Sequence, residues 1–131
     1  MRKLTASLTL LLVATAVHAA SYDFATTVDN LDRRKVTKMH ASQYCKDARG
    51  HDVTWSGKVH DVRGGRRSAK IFVANDARPM YKGYNIVVVT GDLDRAAKVA
   101  KGERIKFRGQ IGGCTLKDNG AILEVENADI L

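Results

Sequence analysis

Residues 52–63 read DVTWSGKVHDVR, and the alternation within this stretch decides the fold class. Every second position on one face is apolar or Gly, namely Val53, Trp55, Gly57 and Val59. The residues between them are polar, and this alternation predicts a half-buried β-strand with Trp55 in the core. Gly57 lies in the middle of the pattern, which indicates a bulge or a sharp bend.

Four more segments have the character of strands. They are SAKIFVAN (68–75), YNIVVVT (84–90), ERIKFRGQI (103–111) and AILEVENADIL (121–131). The second of these is a near-continuous apolar run, typical of a strand that is covered on both sides, whereas the other three alternate. The chain therefore predicts five short strands.

Two helices complete the order. GDLDRAAKVAKG (91–102) predicts a short helix with Asp92 as its N-cap. Residues 31–45 predict an N-terminal helix with Asp29 or Asn30 as its N-cap. Five strands with a helix between the third and the fourth predict an OB-fold barrel, a fold between all-β and α+β, preceded by this N-terminal helix.

The start of the chain predicts a secretory signal peptide. Arg2 and Lys3 precede an apolar core from Leu8 to Val17, and Val17-His18-Ala19 matches a small-residue cleavage pattern. The apolar run is shorter than the roughly 20 residues of a membrane span, so no transmembrane anchor is expected. The expected organisation is a signal peptide over 1–19, an N-terminal arm and helix over 20–50, and the barrel over 51–131.

Charge and cysteine content agree with a periplasmic or secreted protein. The chain carries 22 Lys and Arg against 14 Asp and Glu, a net charge of +8, and loss of residues 1–19 with their two cations leaves +6. A basic surface of this kind favours anionic partners. The two cysteines, Cys45 and Cys114, predict one disulfide in an oxidising compartment. A catalytic thiolate near His40 or His51 is the competing interpretation, and it would require a free thiol.

The strand motifs resemble those of the tRNA-anticodon-binding-like OB-fold family of bacterial proteins. Its first-strand pattern V-x-W-x-G-x-V is matched by Val53, Trp55, Gly57 and Val59. Its fourth-strand pattern K-G-x-x-I-x-F-x-G is matched by Lys101, Gly102, Ile105, Phe107 and Gly109. The resemblance covers residues 51–131 and implies a binding face on strands two and three, flanked by the first–second and fourth–fifth loops. These motifs describe the architecture of the barrel rather than a ligand.

On that implied face the sequence offers cations and two aromatic rings. The turn RGGRRS (63–68) supplies the cations, and Gly64-Gly65 predicts a two-residue primed hairpin turn with positive φ. Phe72 and Tyr81 are candidate stacking rings, although each could equally pack against the N-terminal helix. The predicted ligand-binding residues are Arg63, Arg66, Arg67, Lys70, Phe72, Tyr81, Lys106 and Arg108, the last two only if the barrel brings them close.

Two functions remain open at this point. The first is a non-enzymatic exported binding module for an anionic polymer, which could be nucleic acid, a glycan or a lipid headgroup. The second is an envelope protein-interaction, assembly or inhibitor/immunity-type protein, for which the basic turn is only a solvated hairpin tip. The sequence has no P-loop or G-x-S-x-G motif, and its histidines lack metal-type spacing. No catalytic residue, metal or cofactor is therefore expected, and the oligomeric state is left open.

Overall fold

The computed structural model describes residues 22–131, so the predicted signal peptide lies outside the described residues. Within this range three helices, α1 to α3, span Phe24–Asp29, Lys38–Ala48 and Leu93–Ala97. Five strands, β1 to β5, span Asp52–Gly64, Ala69–Ala74, Ile86–Thr90, Arg104–Lys117 and Gly120–Ile130.

The strands close into a barrel in the order β1-β2-β3-β5-β4, and β4 pairs with β1 to complete the ring. The neighbouring strands are antiparallel apart from β3 and β5, which run parallel. A five-stranded closed barrel with α3 between β3 and β4 is the OB-fold arrangement. The fold class predicted from the strand order is confirmed.

The alternating residues of the strands build the core of the barrel, as predicted. Buried side chains from β1 and β4 include Val53, Trp55, Val59, Ile105, Phe107 and Ile111. The apolar run of β3 differs from its prediction, because Val87 and Val89 are only half-buried on the outer side. Among residues 22–131, no further layer therefore covers the outer face of β3.

Two glycines let strands approach one another closely inside the curved sheet. A Cβ added at Gly57 would lie 2.6 Å from the carbonyl oxygen of Ala74, and one added at Gly109 would lie 2.6 Å from that of Glu126. The sequence predicted a bulge or bend at Gly57, but the register of β1 shifts later, at His60. Gly57 instead allows β1 and β2 to approach each other closely.

The N-terminal region forms two short helices rather than the single helix predicted over 31–45. The Asp32 carboxylate accepts a hydrogen bond from the Arg34 backbone N–H at 3.0 Å, which turns the chain. The Thr37 hydroxyl then accepts from the His40 N–H at 3.1 Å and caps α2. The predicted N-cap, Asp29 or Asn30, was wrong for this helix, because Thr37 caps it seven or eight residues further along the chain.

Both N-terminal helices are held against the barrel, α1 by packing and α2 by a disulfide. Phe24 of α1 meets Trp55 edge-to-face at 5.4 Å between ring centroids, and the Trp55 Nε1–H donates to the Tyr22 carbonyl at 2.8 Å. A disulfide between Cys45 and Cys114 joins α2 to β4, which confirms the predicted pairing. These contacts place the helices against β1 and β4.

Candidate binding surface

The outer face of β1 lies at the centre of the candidate surface. The first half of the strand, Asp52–Lys58, pairs with β4, and the second half, Lys58–Gly64, pairs with β2. Because one strand belongs to both parts of the sheet, side chains from β4 and from β2 flank the same outer face. This arrangement can connect the two groups of cations that the sequence predicted.

The turn between β1 and β2 differs from the predicted primed Gly-Gly turn. Gly64 pairs with Ala69 in the ladder, and the Gly65 N–H donates to the Ser68 carbonyl at 2.9 Å. Neither glycine has a positive φ. Gly65 is needed for space instead, since an added Cβ would lie 2.8 Å from the Ser68 oxygen. Arg66 and Arg67 therefore occupy the exposed tip of the turn.

A cation and three rings lie close together near the turn, and we call them the Arg63–Phe72 cluster: Arg63 and His60 of β1, Phe72 of β2, and Tyr84 just before β3. The Arg63 guanidinium lies 5.0 Å from the centroid of the Phe72 ring, within cation–π range. Tyr84 meets Phe72 edge-to-face at 4.9 Å, and the His60 ring lies 6.0 Å from Tyr84. Lys70 is paired with Arg63 across the strands and adds a second cation.

Three exposed cations follow one another along β4, and we call them the β4 ladder: Arg104, Lys106 and Arg108. In the sheet, Arg104 lies opposite Lys58 of β1, and the other two lie opposite Ser56 and Thr54. Within residues 22–131 neither the ladder nor Lys58 forms an ion pair. Lys58 and Arg104 are thus like charges placed directly opposite each other, an arrangement that destabilises a sheet.

Carboxylates border this basic surface at three places. Asp129 of β5 lies opposite Arg108 at one end of the ladder, and Asp52 of β1 lines the same pocket. Asp61 lies 3.7 Å from the Arg63 Nε and 4.0 Å from the Lys101 Nζ, so its charge is offset by two cations. On β5, burial raises the pKa of Glu124, and the hydrogen bond and repulsion from Glu126 raise it further, against the opposing effect of Lys70. The β5 side of the outer face thus carries two neighbouring carboxyl groups.

The structure brings together most, but not all, of the predicted binding residues. Arg63, Lys70 and Phe72 lie side by side beneath the arginine tip. Tyr81 lies elsewhere, at the β4–β5 turn, where its hydroxyl donates to Asn119 and its ring lies 5.8 Å from the Lys117 Nζ.

Sequence reasoning missed the contributions of four residues: Lys58, His60, Tyr84 and Arg104. Tyr84 rather than Tyr81 is the aromatic partner of Phe72. The alternation that placed Lys106 outward also includes Arg104, so a signal for the ladder was present in the sequence. The position of Lys58 opposite Arg104 depends on the pairing register, for which the sequence offered no signal.

The described residues contain no group of three or more His, Cys, Asp or Glu side chains that could hold a metal ion. Both cysteines of the chain are in the disulfide, so the alternative of a free catalytic thiolate is wrong for this state of the protein. Between residues 22 and 131 no helix is long and apolar enough to cross a membrane.

The similarity of this chain to known proteins is weak. No family model matches the chain, and no curated protein matches it closely. Among solved structures it is similar to asparaginyl-tRNA synthetase from Pyrococcus horikoshii, with 14% sequence identity and a TM-score of 0.46. The match covers 65% of this chain and 20% of that one, so this chain spans about a fifth of the synthetase. A likeness this weak carries no argument about function.

Proposed function

We propose that this chain is an exported, non-enzymatic binding module for single-stranded nucleic acid. The observation that carries the proposal is the Arg63–Phe72 cluster, in which one guanidinium and three successive aromatic rings lie close together near an arginine-tipped turn. Proteins that bind single strands combine a cationic surface with rings on which bases stack. Cations alone would serve a lipid headgroup or a sulfated glycan equally well, and the rings favour nucleic acid.

In this proposal the residues of the surface have different roles. Arg66 and Arg67 are exposed at the tip and would contact phosphates as charges. Arg63 covers one face of Phe72, so the planar surface open to a base is the guanidinium itself, or the ring of Tyr84. Lys70 would add a phosphate contact next to Arg63.

Export is the second part of the proposal. The N-terminal sequence supports it, and the Cys45–Cys114 disulfide is compatible with an oxidising compartment. The resemblance to an exported bacterial OB-fold family supports it through the strand motifs. Fractionation of the host cell and N-terminal sequencing of the mature protein would test it, with cleavage after Ala19 as the expected result. Recovery of the uncleaved chain in the cytoplasm would contradict it.

The binding proposal is tested by titrating a fluorescent oligothymidylate with the mature protein over a series of salt concentrations. Log Kobs should fall linearly with log salt, and Arg66→Gln/Arg67→Gln should reduce the slope by about 1.4, at about 0.7 per lost phosphate contact. Lys38→Gln/Lys46→Gln is the matched control, because it removes the same charge from exposed positions on α2.

Each outcome of that titration has a consequence. Equal losses in the two double variants would show attraction by net charge alone and would refute a site at the turn. Binding of heparin or anionic vesicles without binding of oligothymidylate would refute nucleic acid as the ligand. If the protein bound none of these and instead captured an envelope protein independently of Arg66 and Arg67, the protein-interaction alternative would replace the proposal.

The contribution of the rings is tested separately with Tyr84→Leu. Base stacking is worth about 1–3 kcal/mol per base, so the affinity should fall roughly 5- to 150-fold. The salt slope should stay unchanged, because no charge is removed. An unchanged affinity would refute stacking on Tyr84.

A further inference from the structure

The outer surface of the barrel is divided by charge, and this division bears on the path of a bound strand. One side carries exposed cations on β1 and β4: Lys58, Arg104, Lys106 and Arg108. The other side carries Glu124 and Glu126 of β5. Glu124 is paired with Val87 in the β3–β5 ladder, so it borders the outer face of β3.

A strand that crossed β2 and β3 toward the β4–β5 turn would have to pass these carboxylates. The Glu126 side chain lies over Gly112, where an added Cβ would come within 2.3 Å of the Glu126 Cδ. A polyanion on this path would therefore meet the neighbouring carboxyl groups of Glu124 and Glu126. The crossing path is electrostatically unfavourable in this chain.

A path along β1 meets cations for most of its length. It begins at the β4 ladder, passes Lys58 and His60, and reaches Arg63 and the tip of the turn. The acids along this route are Asp52 and Asp129, which line the same pocket as Arg108, and Asp61, which lies within 4.0 Å of both Arg63 and Lys101. Acidic repulsion is thus largely offset along this route.

The spacing of the cations in the β4 ladder also suits binding to a linear polymer. Alternate residues of a strand are spaced by roughly 7 Å, so the three cations present a regular row. The like-charge pair of Lys58 and Arg104 is unfavourable in the free protein, and a polyanion lying between them would relieve the repulsion.

We propose that the nucleic-acid strand runs lengthwise along the outer face of β1, from the β4 ladder to the arginine tip, instead of crossing β2 and β3 to the β4–β5 turn. The inference rests on the proposed function and extends it. From Thr54, opposite Arg108, to Arg63 the strand advances nine residues, so the contact is about 30 Å long at about 3.3 Å per residue.

Two single substitutions of the same chemistry distinguish the paths. Lys106→Gln lies on the β1 path, and Lys117→Gln lies at the β4–β5 turn on the crossing path. With oligothymidylate as the probe, Lys106→Gln should weaken binding and reduce the salt slope by about 0.7, whereas Lys117→Gln should change neither. The reverse pattern, or equal effects, would overturn the proposed path.

Arg104→Gln distinguishes a binding role from a structural one, because affinity and stability should change in opposite directions. It should weaken binding while raising the Tm, because it removes a like charge opposite Lys58. A fall in both the affinity and the Tm would show that the substitution destabilises the fold. The weaker binding would then count against the ladder as a contact for the strand.

A length series of oligothymidylates measures the extent of the contact. Affinity should rise until the oligomer spans about 30 Å and then level off, and in Lys106→Gln/Arg108→Gln it should level off at a shorter length. Identical plateau lengths would overturn the proposed path. Loss of binding in Arg66→Gln/Arg67→Gln together with no effect of the ladder variants would leave the proposed function standing and refute only the path. No effect of either pair would refute both.

Discussion

Removal of the Cys45–Cys114 disulfide should destabilise the protein substantially. The bridge joins residues 69 positions apart. In the chain-entropy model, opening a loop of this length costs about 4 kcal/mol at 25 °C. Since small domains have unfolding free energies of about 5–15 kcal/mol, the loss would be a large share of the total.

Removal of the disulfide should destabilise α2 first. Its buried residues are small, namely Ala41, Cys45 and Ala48, so few apolar contacts hold the helix once the bridge is gone. A helix of 11 residues is marginal by itself in water. The barrel keeps its closed ring of strands, so we expect α2 to open while β1–β5 remain paired.

Urea titration and amide hydrogen exchange of Cys45→Ala/Cys114→Ala against wild type would measure the two effects. The urea midpoint should fall, and exchange protection should be lost in α2 before the strands. Wild type with its disulfide reduced serves as a control without any change of sequence. Equal midpoints for the oxidised and reduced wild type would refute the entropic argument, and unchanged protection in α2 would refute its dependence on the bridge.

Three further substitutions test the packing of the barrel and its N-terminal segment, each by urea titration. Asp29→Asn should lower the free energy of unfolding by about 1 kcal/mol, allowing for solvent exposure. The Arg78 guanidinium, and after it the Lys35 ammonium, hold the pKa of Asp29 at about 2 instead of 3.8. This stabilisation is present above about pH 4 and is lost as the pH falls through about 2, so the variant and wild type should converge there; a constant difference would contradict it. Gly57→Ala should cost about 1–3 kcal/mol, since its Cβ would lie 2.6 Å from a carbonyl oxygen of β2, whereas Gly64→Ala, with open space, should stay within about 0.5 kcal/mol. Trp55→Phe should cost about 1–3 kcal/mol by leaving a backbone carbonyl without its indole donor, and an unchanged midpoint would show that water replaces the bond.

The barrel could be predicted because its signals are local. Alternation along β1 and β4 identified the buried residues, and Asp92 capped α3 where the sequence placed it, accepting from the Arg95 N–H at 3.0 Å. The disulfide followed from the presence of two cysteines in a chain expected to be exported. Each inference needed only neighbouring residues or a count.

The surface was harder to predict because it depends on register. Val59 and Val62 are three positions apart, and both face the core. This spacing indicates that the alternation of inward and outward side chains is interrupted at His60. That break sets which side chains of β1 point outward near the turn. The pairing of Lys58 with Arg104 and of Phe72 with Tyr84 joins segments distant in sequence, and no alternation pattern specifies such partners.

The disulfide also encloses the proposed surface in a covalent ring. Every residue assigned to binding, from Lys58 to Arg108, lies between Cys45 and Cys114 in the chain. The exposed Arg66-Arg67 tip is a natural cleavage point for trypsin-like proteases, which a protein outside the cytoplasm would encounter. A cut there would leave two fragments that remain tethered through the bridge and paired through the barrel. A nicked molecule could thus keep its two halves of the surface together, and the cut would become visible only after reduction.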